Sequence, residues 1–450
     1  MKKLFLTGIF FALLCSLHIP QQASAQLSIG AQLRTRAEFR DGQGAPLPDG
    51  SPSAFFISQR TRLSAGFSGY RFKIKAVLQD VRVWGQDAST INRTTIQDNN
   101  GLMLHEAWAE ILLTDTTLKN KSLNLKIGRQ ELVYDDSRLL GNLDWLQQAR
   151  RHDAAVIKYE TEQWKLHAGF AYNQNKENAT GTLYNPTPPG NYPANTNGGN
   201  MYKSLAYLYA SKQIHTGYLS FLLLTDAFTK YHMASGVKIW DTGAWHRVTT
   251  GLYFTNKYKI ADVTGSAYFQ GGTSASGQDL NAYLFSVNAY FHLTKTFDAG
   301  PGFDYTTGGT SGTTNKAFDP LYGTPHKFWG GMDYFYAASA FGNRGLQDYY
   351  IKLKYLPRKD LTLNAEVHQF YSASDVPPSG SISYSRNFGT ELDLIASYSL
   401  TKIIGIEGGY SYYRSTDALA SPGVKNVTGA QRDNHWAYVM INIKPEFFFK

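Results

Sequence analysis

A single cysteine, Cys15, stands in a chain of 450 residues. It lies inside the first apolar stretch, so the rest of the chain carries no thiol at all. Disulfides, Cys-based zinc sites, iron–sulfur clusters and cysteine nucleophiles are thereby excluded from residues 26–450. Long apolar runs are also missing. After the N-terminus nothing approaches the roughly 20 residues a membrane-spanning helix needs. Mean hydropathy is negative, −0.34, and only 18% of residues are charged. There is no Gly-x-Ser-x-Gly and no phosphate-binding loop, and His105-Glu106 lacks the second histidine of a zinc-protease helix. No spacing of histidines suggests a metal site, so no cofactor or metal is expected, and no nucleic-acid partner.

The N-terminus reads as a secretory leader. Lys2 and Lys3 precede the apolar run Leu4 to Leu14, and Ala23-Ser24-Ala25 supplies small residues for a cut. Residues 1–25 are expected to be this signal, with Gln26 the first mature residue; its removal lowers the formal net charge from +9 to +7. A lipoprotein anchored on Cys15 is the rival, but Leu14 is large for the position before a lipidated cysteine.

What the chain has in abundance is aromatics, 14% including 30 Tyr, together with 41 Gly. It also has period-two alternation throughout. Leu27, Ile29, Ala31, Leu33, Ala37 and Phe39 share one face; Ser28, Gln32, Arg34, Arg36, Glu38 and Arg40 share the other. Ile57, Leu63, Ala65 and Phe67 oppose Ser58, Arg60, Arg62 and Ser64. Phe72, Ile74, Ala76 and Leu78 oppose Arg71, Lys73, Lys75 and Gln79. Periodicity alone does not decide whether the charged faces meet bulk water or an enclosed lumen. The connections do. Short ones, near 69–70, 114–121, 160–163, 212–216, 256–259, 294–296, 357–360 and 400–402, alternate with longer ones. The longer set lies near 41–53, 85–101, 131–150, 174–200, 229–243, 271–278, 306–345, 372–386 and 415–433. Short periplasmic turns alternating with long outer loops are the habit of outer-membrane barrels. The expectation is an all-β fold: one transmembrane antiparallel barrel of about 18 strands over residues 26–450, in the outer membrane of a Gram-negative bacterium. Trp84, Trp108, Trp164 and Trp436 are expected as girdle anchors against lipid.

In such a barrel Arg34, Arg36, Arg40, Arg60, Arg62, Arg71, Lys73 and Lys75 project from three neighbouring strands onto one patch of the lumen wall. A basic wall of low dielectric focuses a field that attracts anions, and guanidinium forks match carboxylates. Glu38, Glu106, Glu110, Glu391 and Asp393 fall on inward faces as well. They leave a neutralised lattice as the bland alternative.

One segment is more specific: Gly128-Arg129-Gln130-Glu131 leading into Tyr134-Asp135-Asp136-Ser137-Arg138, then Asp144-Trp145, then Arg150-Arg151-His152-Asp153. With Ala317-Phe318-Asp319-Pro320-Leu321-Tyr322-Gly323 and Phe328-Trp329-Gly330-Gly331-Met332-Asp333-Tyr334, it resembles the alginate-export family of outer-membrane barrels. The likeness runs over nearly all of residues 26–450. It implies that Arg129, Arg150 and Arg151 sit at a pore constriction with Glu131 or Asp153 nearby; the alternative is that Arg129 and Asp153 simply pair across adjacent strands to hold the loop. Arg129 shares the parity of Ile127, however, which aims it at lipid unless a bulge or a place above the membrane intervenes. The 306–345 loop is either an outer cap or a lid folded into the lumen. The functional expectation is a passive outer-membrane channel for an anionic polysaccharide or other anionic solute. A general or nutrient porin is the alternative. Lipid, the solute, and periplasmic export or uptake proteins are the partners to consider. A rim enzyme using Ser137, His152 and Asp153 is the remote third.

Overall fold

The computed structural model describes residues 26–85, 102–174, 177, 181, 184, 202–335 and 343–449. The expected leader, residues 1–25, and most of the loops expected near 85–101 and 174–200 lie outside these.

Eighteen strands form one closed antiparallel barrel. They are β1 Gln26–Asp41, β2 Ala54–Ser68, β3 Phe72–Val83, β4 Met103–Leu112, β5 Lys121–Gln130, β6 His152–Thr161, β7 Trp164–Tyr172, β8 Ser204–Ile214 and β9 Gly217–Ala234. Then come β10 Val237–Lys257, β11 Ala261–Thr273, β12 Asp279–His292, β13 Phe297–Thr306, β14 Leu346–Arg358, β15 Leu361–Tyr371, β16 Asn387–Ser399, β17 Ile404–Ser415 and β18 Asp433–Ile443. Each pairs with its sequence neighbour. β18 closes the ring on β1, with Arg34 opposite Asn442 and Glu38 opposite Tyr438. Pro445, which has no N–H to give, interrupts the last strand; pairing resumes at Glu446–Phe449 against Leu27–Gly30. Closure leaves no sheet edge, the condition for a strand to sit in lipid.

The alternation decides which side is which. Leu27, Ile29, Leu33, Phe39, Ile74, Ile127, Ile157, Phe285, Ile351 and Val439 are all exposed on the outside. Arg34, Arg36, Glu38, Arg60, Gln79, Asp304, Asp348, His368, Glu391 and Asp393 are buried on the inside. A polar interior wrapped in an apolar belt is the inverse of a water-soluble sandwich.

Three sequence expectations need correction. Residues 229–243 are not a loop. They extend β9 and β10 into a hairpin closed by Ser235 (φ 51°) and Gly236 (φ 79°). Two positive φ angles give the tight turn whose twist matches the flanking strands, and a bulge between Trp240 and Ala244 absorbs the change of register. Trp108 and Trp436 are not lipid anchors. Trp108 faces the lumen, donating to Glu106 Oε2 at 2.8 Å beneath Lys126, and Trp436 is buried against Tyr438. Trp84 and Trp164 are exposed. Arg71 lies at the turn before β3, where it donates to the carbonyls of Leu112, Leu113 and Thr114. It fastens the neighbouring turn instead of lining the pore.

Candidate functional site: a constriction made by two inward loops

The residues between β5 and β6, 131–151, turn into the barrel. Leu132, Leu139, Leu140 and Leu143 are 0–3% exposed. Four non-glycine residues take left-handed backbone, Asp135, Ser137, Leu143 and Ala149. Such conformations persist only where the surroundings over-determine them, and here they do. Tyr134 OH lies 2.9 Å from Tyr207 OH and 3.0 Å from His167 Nδ1. Asp135 accepts from Ser220 and Tyr209. Arg138 crosses to Asp304 at 2.5 Å and Ser286 at 3.0 Å.

The second inward loop is the described part of 307–345. Arg247 binds Asp226 on the wall and Asp319 of the loop, at 2.6 Å each. Tyr322 OH donates to Asp226 at 2.7 Å. The two loops are joined by backbone bonds: Gly141 N to Tyr322 O, Tyr322 N to Leu139 O and Thr324 N to Ser137 O. Arg150, fully buried, donates to the Gly323 carbonyl. Of the two alternatives for 306–345, the inward one describes the placement of its described residues, and loop 131–151 packs against them.

Glu391 and Asp393 do not neutralise arginines. They accept the backbone amides of Met332 at 2.7 Å and Gly331 at 3.1 Å, holding the second loop to the wall. Gly330 (φ 87°) is required there, because a Cβ would lie 2.3 Å from Glu391 Oε2.

The first loop meets the wall of β1–β4 through a cluster of charges. Arg60 Nη2 approaches Asp144 Oδ1 at 2.8 Å, Arg34 Nη1 approaches Oδ2 at 3.1 Å, and Arg62 Nη1 stands 3.7 Å from Oδ1. Burial alone would raise the Asp144 pKa. Arg60, Arg34 and Arg62 outweigh it and hold the group below the ordinary carboxylate range. Next to it Trp145 packs flat on His326 at 4.0 Å, with the Arg36 guanidinium over its ring at 4.0 Å. A cavity of about 310 Å³ opens beside this cluster, bounded by Arg60, Arg62, Lys75, Glu106, Glu131 and Asp144.

The remaining expected residues fall as follows. Glu38 bridges Arg36 and the half-exposed Arg40 at 2.8 Å each. Lys75 pairs with Glu106 at 2.7 Å and Lys158 with Glu110 at 2.6 Å. Lys73 is exposed opposite Glu110. Glu131 pairs with buried His105 at 2.9 Å. Of the two readings of Arg129, the structure has the pair with Asp153 and corrects the placement at a constriction: two bonds of 2.8 Å join them on the outer face, at the outer end of the β5–β6 pair. No bulge turns it inward; the ion pair supplies its compensation. Burial lowers the Arg151 pKa to about 10, with Arg129 acting in the same direction and Asp153 against it. His152 points the opposite way, with Nδ1 2.7 Å from Tyr202 OH. Adjacent residues on opposite faces of one strand make no Ser137–His152–Asp153 triad. Asp144, Trp145, Asp226, Asp304 and Arg247 escaped notice as site residues because loops carry no period, and the strand pattern marks a face without naming a partner.

A model of the alginate-export family matches residues 25–433. The chain belongs to the alginate-export family. This family member also shares its barrel with solved outer-membrane proteins. OccAB4 of Acinetobacter baumannii is 13% identical with a TM-score of 0.58, over 95% of this chain and 100% of that one. OccK9 (OpdG) of Pseudomonas aeruginosa is 12% identical with a TM-score of 0.57, over 94% and 98%. OpdK of Pseudomonas aeruginosa, solved with vanillate, is 10% identical with a TM-score of 0.56, over 94% and 99%. No curated protein matches the sequence. Family and fold together make this alginate-export barrel an outer-membrane channel.

The loop anchor at Asp135 sets a pH dependence. Burial raises its pKa to about 6, against the hydrogen bonds from Ser220 and Tyr209. A carboxyl with a raised pKa is bound more tightly when protonated. The seated loop therefore gains stability as pH falls through about 6 toward the ordinary carboxylate range, and loses it as pH rises. Channel conductance is expected to drop between pH 7 and pH 5. An Asp135→Asn channel should stay at the low value throughout. A pH-independent unaltered channel would contradict this.

Proposed function

We propose that this channel passively conducts anionic solutes, acidic sugars among them, along the arginine wall of β1 and β2. The observation that carries the reading is the convergence of Arg34, Arg60 and Arg62 on the single carboxylate of Asp144. Three cations converge on one anion there, and Arg36 and Arg40 share Glu38, while Glu106, Glu131 and Glu446 face Lys75 and Lys444 around the rest of the cavity. An anion entering there trades its water for guanidinium hydrogen bonds. Nearby Glu106 and Glu131 keep the attraction shallow, and conduction needs sites weak enough to leave. Family membership favours an acidic polysaccharide such as alginate as the cargo. The two loops across the lumen favour the second reading, a nutrient porin for small carboxylates, since a polymer needs a continuous bore. The sequence carries no phosphate-binding loop, so we take a solute gradient or periplasmic partners to set the direction.

The test is the reversal potential of the reconstituted channel in a KCl gradient. Anion preference is expected, and it should fall in Arg60→Ala/Arg62→Ala. Cation preference in the unaltered protein would end the reading. Current block by uronate oligomers as against monomers then separates polymer conduit from small-solute porin.

A further inference from the structure

We propose that Asp144 is a built-in occupant of a carboxylate seat formed by Arg34, Arg60 and Arg62, and that a solute carboxylate displaces it in transit. The inference rests on the reading that the arginine wall lies on the conduction path. Three features of the geometry carry it.

First, the seat is built. The Arg34 and Arg60 side chains are 4% and 1% exposed and that of Arg62 is 15%, so all three are held in place around one spot. Second, the occupant is the accessible member: the Asp144 side chain is 46% exposed and borders the cavity of about 310 Å³. That space is at the lower end of small-molecule sites and suits one sugar or aromatic ring. Third, the loop has anchors besides this carboxylate. Arg34 also donates to Gln147 Oε1, Trp145 O and Leu146 O, and Arg36 donates to Trp145 O. Gln147 donates to Ser58 Oγ, and Leu143 N donates to Thr324 Oγ1. The Asp144 side chain can swing toward the cavity while the backbone around it stays fastened.

A tethered competitor has a high effective concentration at its own seat. It therefore weakens every solute carboxylate by a constant factor and speeds its release. A bare trio of arginines would trap an anion, and the resident aspartate turns a binding site into a transit site.

The experiment is single-channel block by sodium glucuronate in the isosteric variant Asp144→Asn, with glucose as the neutral control and Asp144→Glu as the variant that keeps the charge. The half-blocking glucuronate concentration should fall about tenfold or more in Asp144→Asn, with longer block events. In Asp144→Glu, which keeps a competing carboxylate, the half-blocking concentration should stay well above that of Asp144→Asn, and glucose should be indifferent in all three. The proposal fails if Asp144→Asn leaves the half-blocking concentration within about twofold. It also fails if limited proteolysis cuts within 131–151 in that variant and not in the parent, since Asp144 would then be an anchor of the loop. Either failure in a channel that still prefers anions overturns the seat alone; cation preference in the unaltered channel overturns the functional reading beneath it.

Discussion

Arg138→Ala should release the 131–151 loop from the lumen and raise single-channel conductance several-fold. The guanidinium is 2% exposed, pairs with Asp304 at 2.5 Å and Asp136 at 3.3 Å, and lies over the Phe328 ring at 3.9 Å. Asp304 is equally buried. Removing the cation leaves that carboxylate inside the barrel with only the Ser286 and Tyr350 hydroxyls. Breaking a buried pair by deleting one partner costs about 3–5 kcal/mol. The barrel ladder does not depend on Arg138, so the cost falls on the seated loop. Water reaching Asp304 offsets the loss only when the loop lifts away. Limited proteolysis should cut within 131–151 in the variant and not in the parent. Unchanged conductance together with an uncut loop would show that Arg138 does not hold the constriction.

The second large effect separates two adjacent residues. Val287 and Asn288 sit near the middle of β12, and Val287 is 53% exposed on the outside beside Phe285. Asn288 faces inward between Thr264 and Gly302. An arginine in place of Val287 meets hydrocarbon and should cost about 2–4 kcal/mol at the midplane. The same arginine in place of Asn288 enters the aqueous lumen. There it should leave stability nearly unchanged and shift the reversal potential further toward anions. Denaturant unfolding of the two variants in phospholipid vesicles reads the difference. Equal stabilities would contradict the assignment of inner and outer faces.

The strands were legible because alternation is local. Leu27 to Phe39 and Arg34 to Arg40 mark opposite faces of β1 whatever surrounds them, and the connection lengths then supplied the strand number. The parity of Arg129 was legible for the same reason and pointed to the outer face; its partner Asp153, opposite it across β5 and β6, completes the picture. The resemblance, with its constriction at Arg129, Arg150 and Arg151, led away from that parity. Trp108 and Trp436 were misjudged because a tryptophan near a strand end suits a membrane interface and a lumen equally. Only parity within β4 and β18 distinguishes the two. Glu391 and Asp393 faced inward as expected, yet their partners are backbone amides of a loop, groups that every residue but proline carries and no sequence pattern marks.

By itself the sequence determined a barrel, its strand number, its apolar outside and its polar inside. Each follows from the two-residue repeat of extended chain and from turn residues that punctuate it. Tertiary structure alone decided that loop 131–151 and the described part of 307–345 enter the bore, and that Asp144 meets Arg34 from 110 positions away. A loop has no repeat to read. Its resting place is set by which buried ion pairs and backbone bonds it can complete, and those partners come together only when the ring of strands has closed.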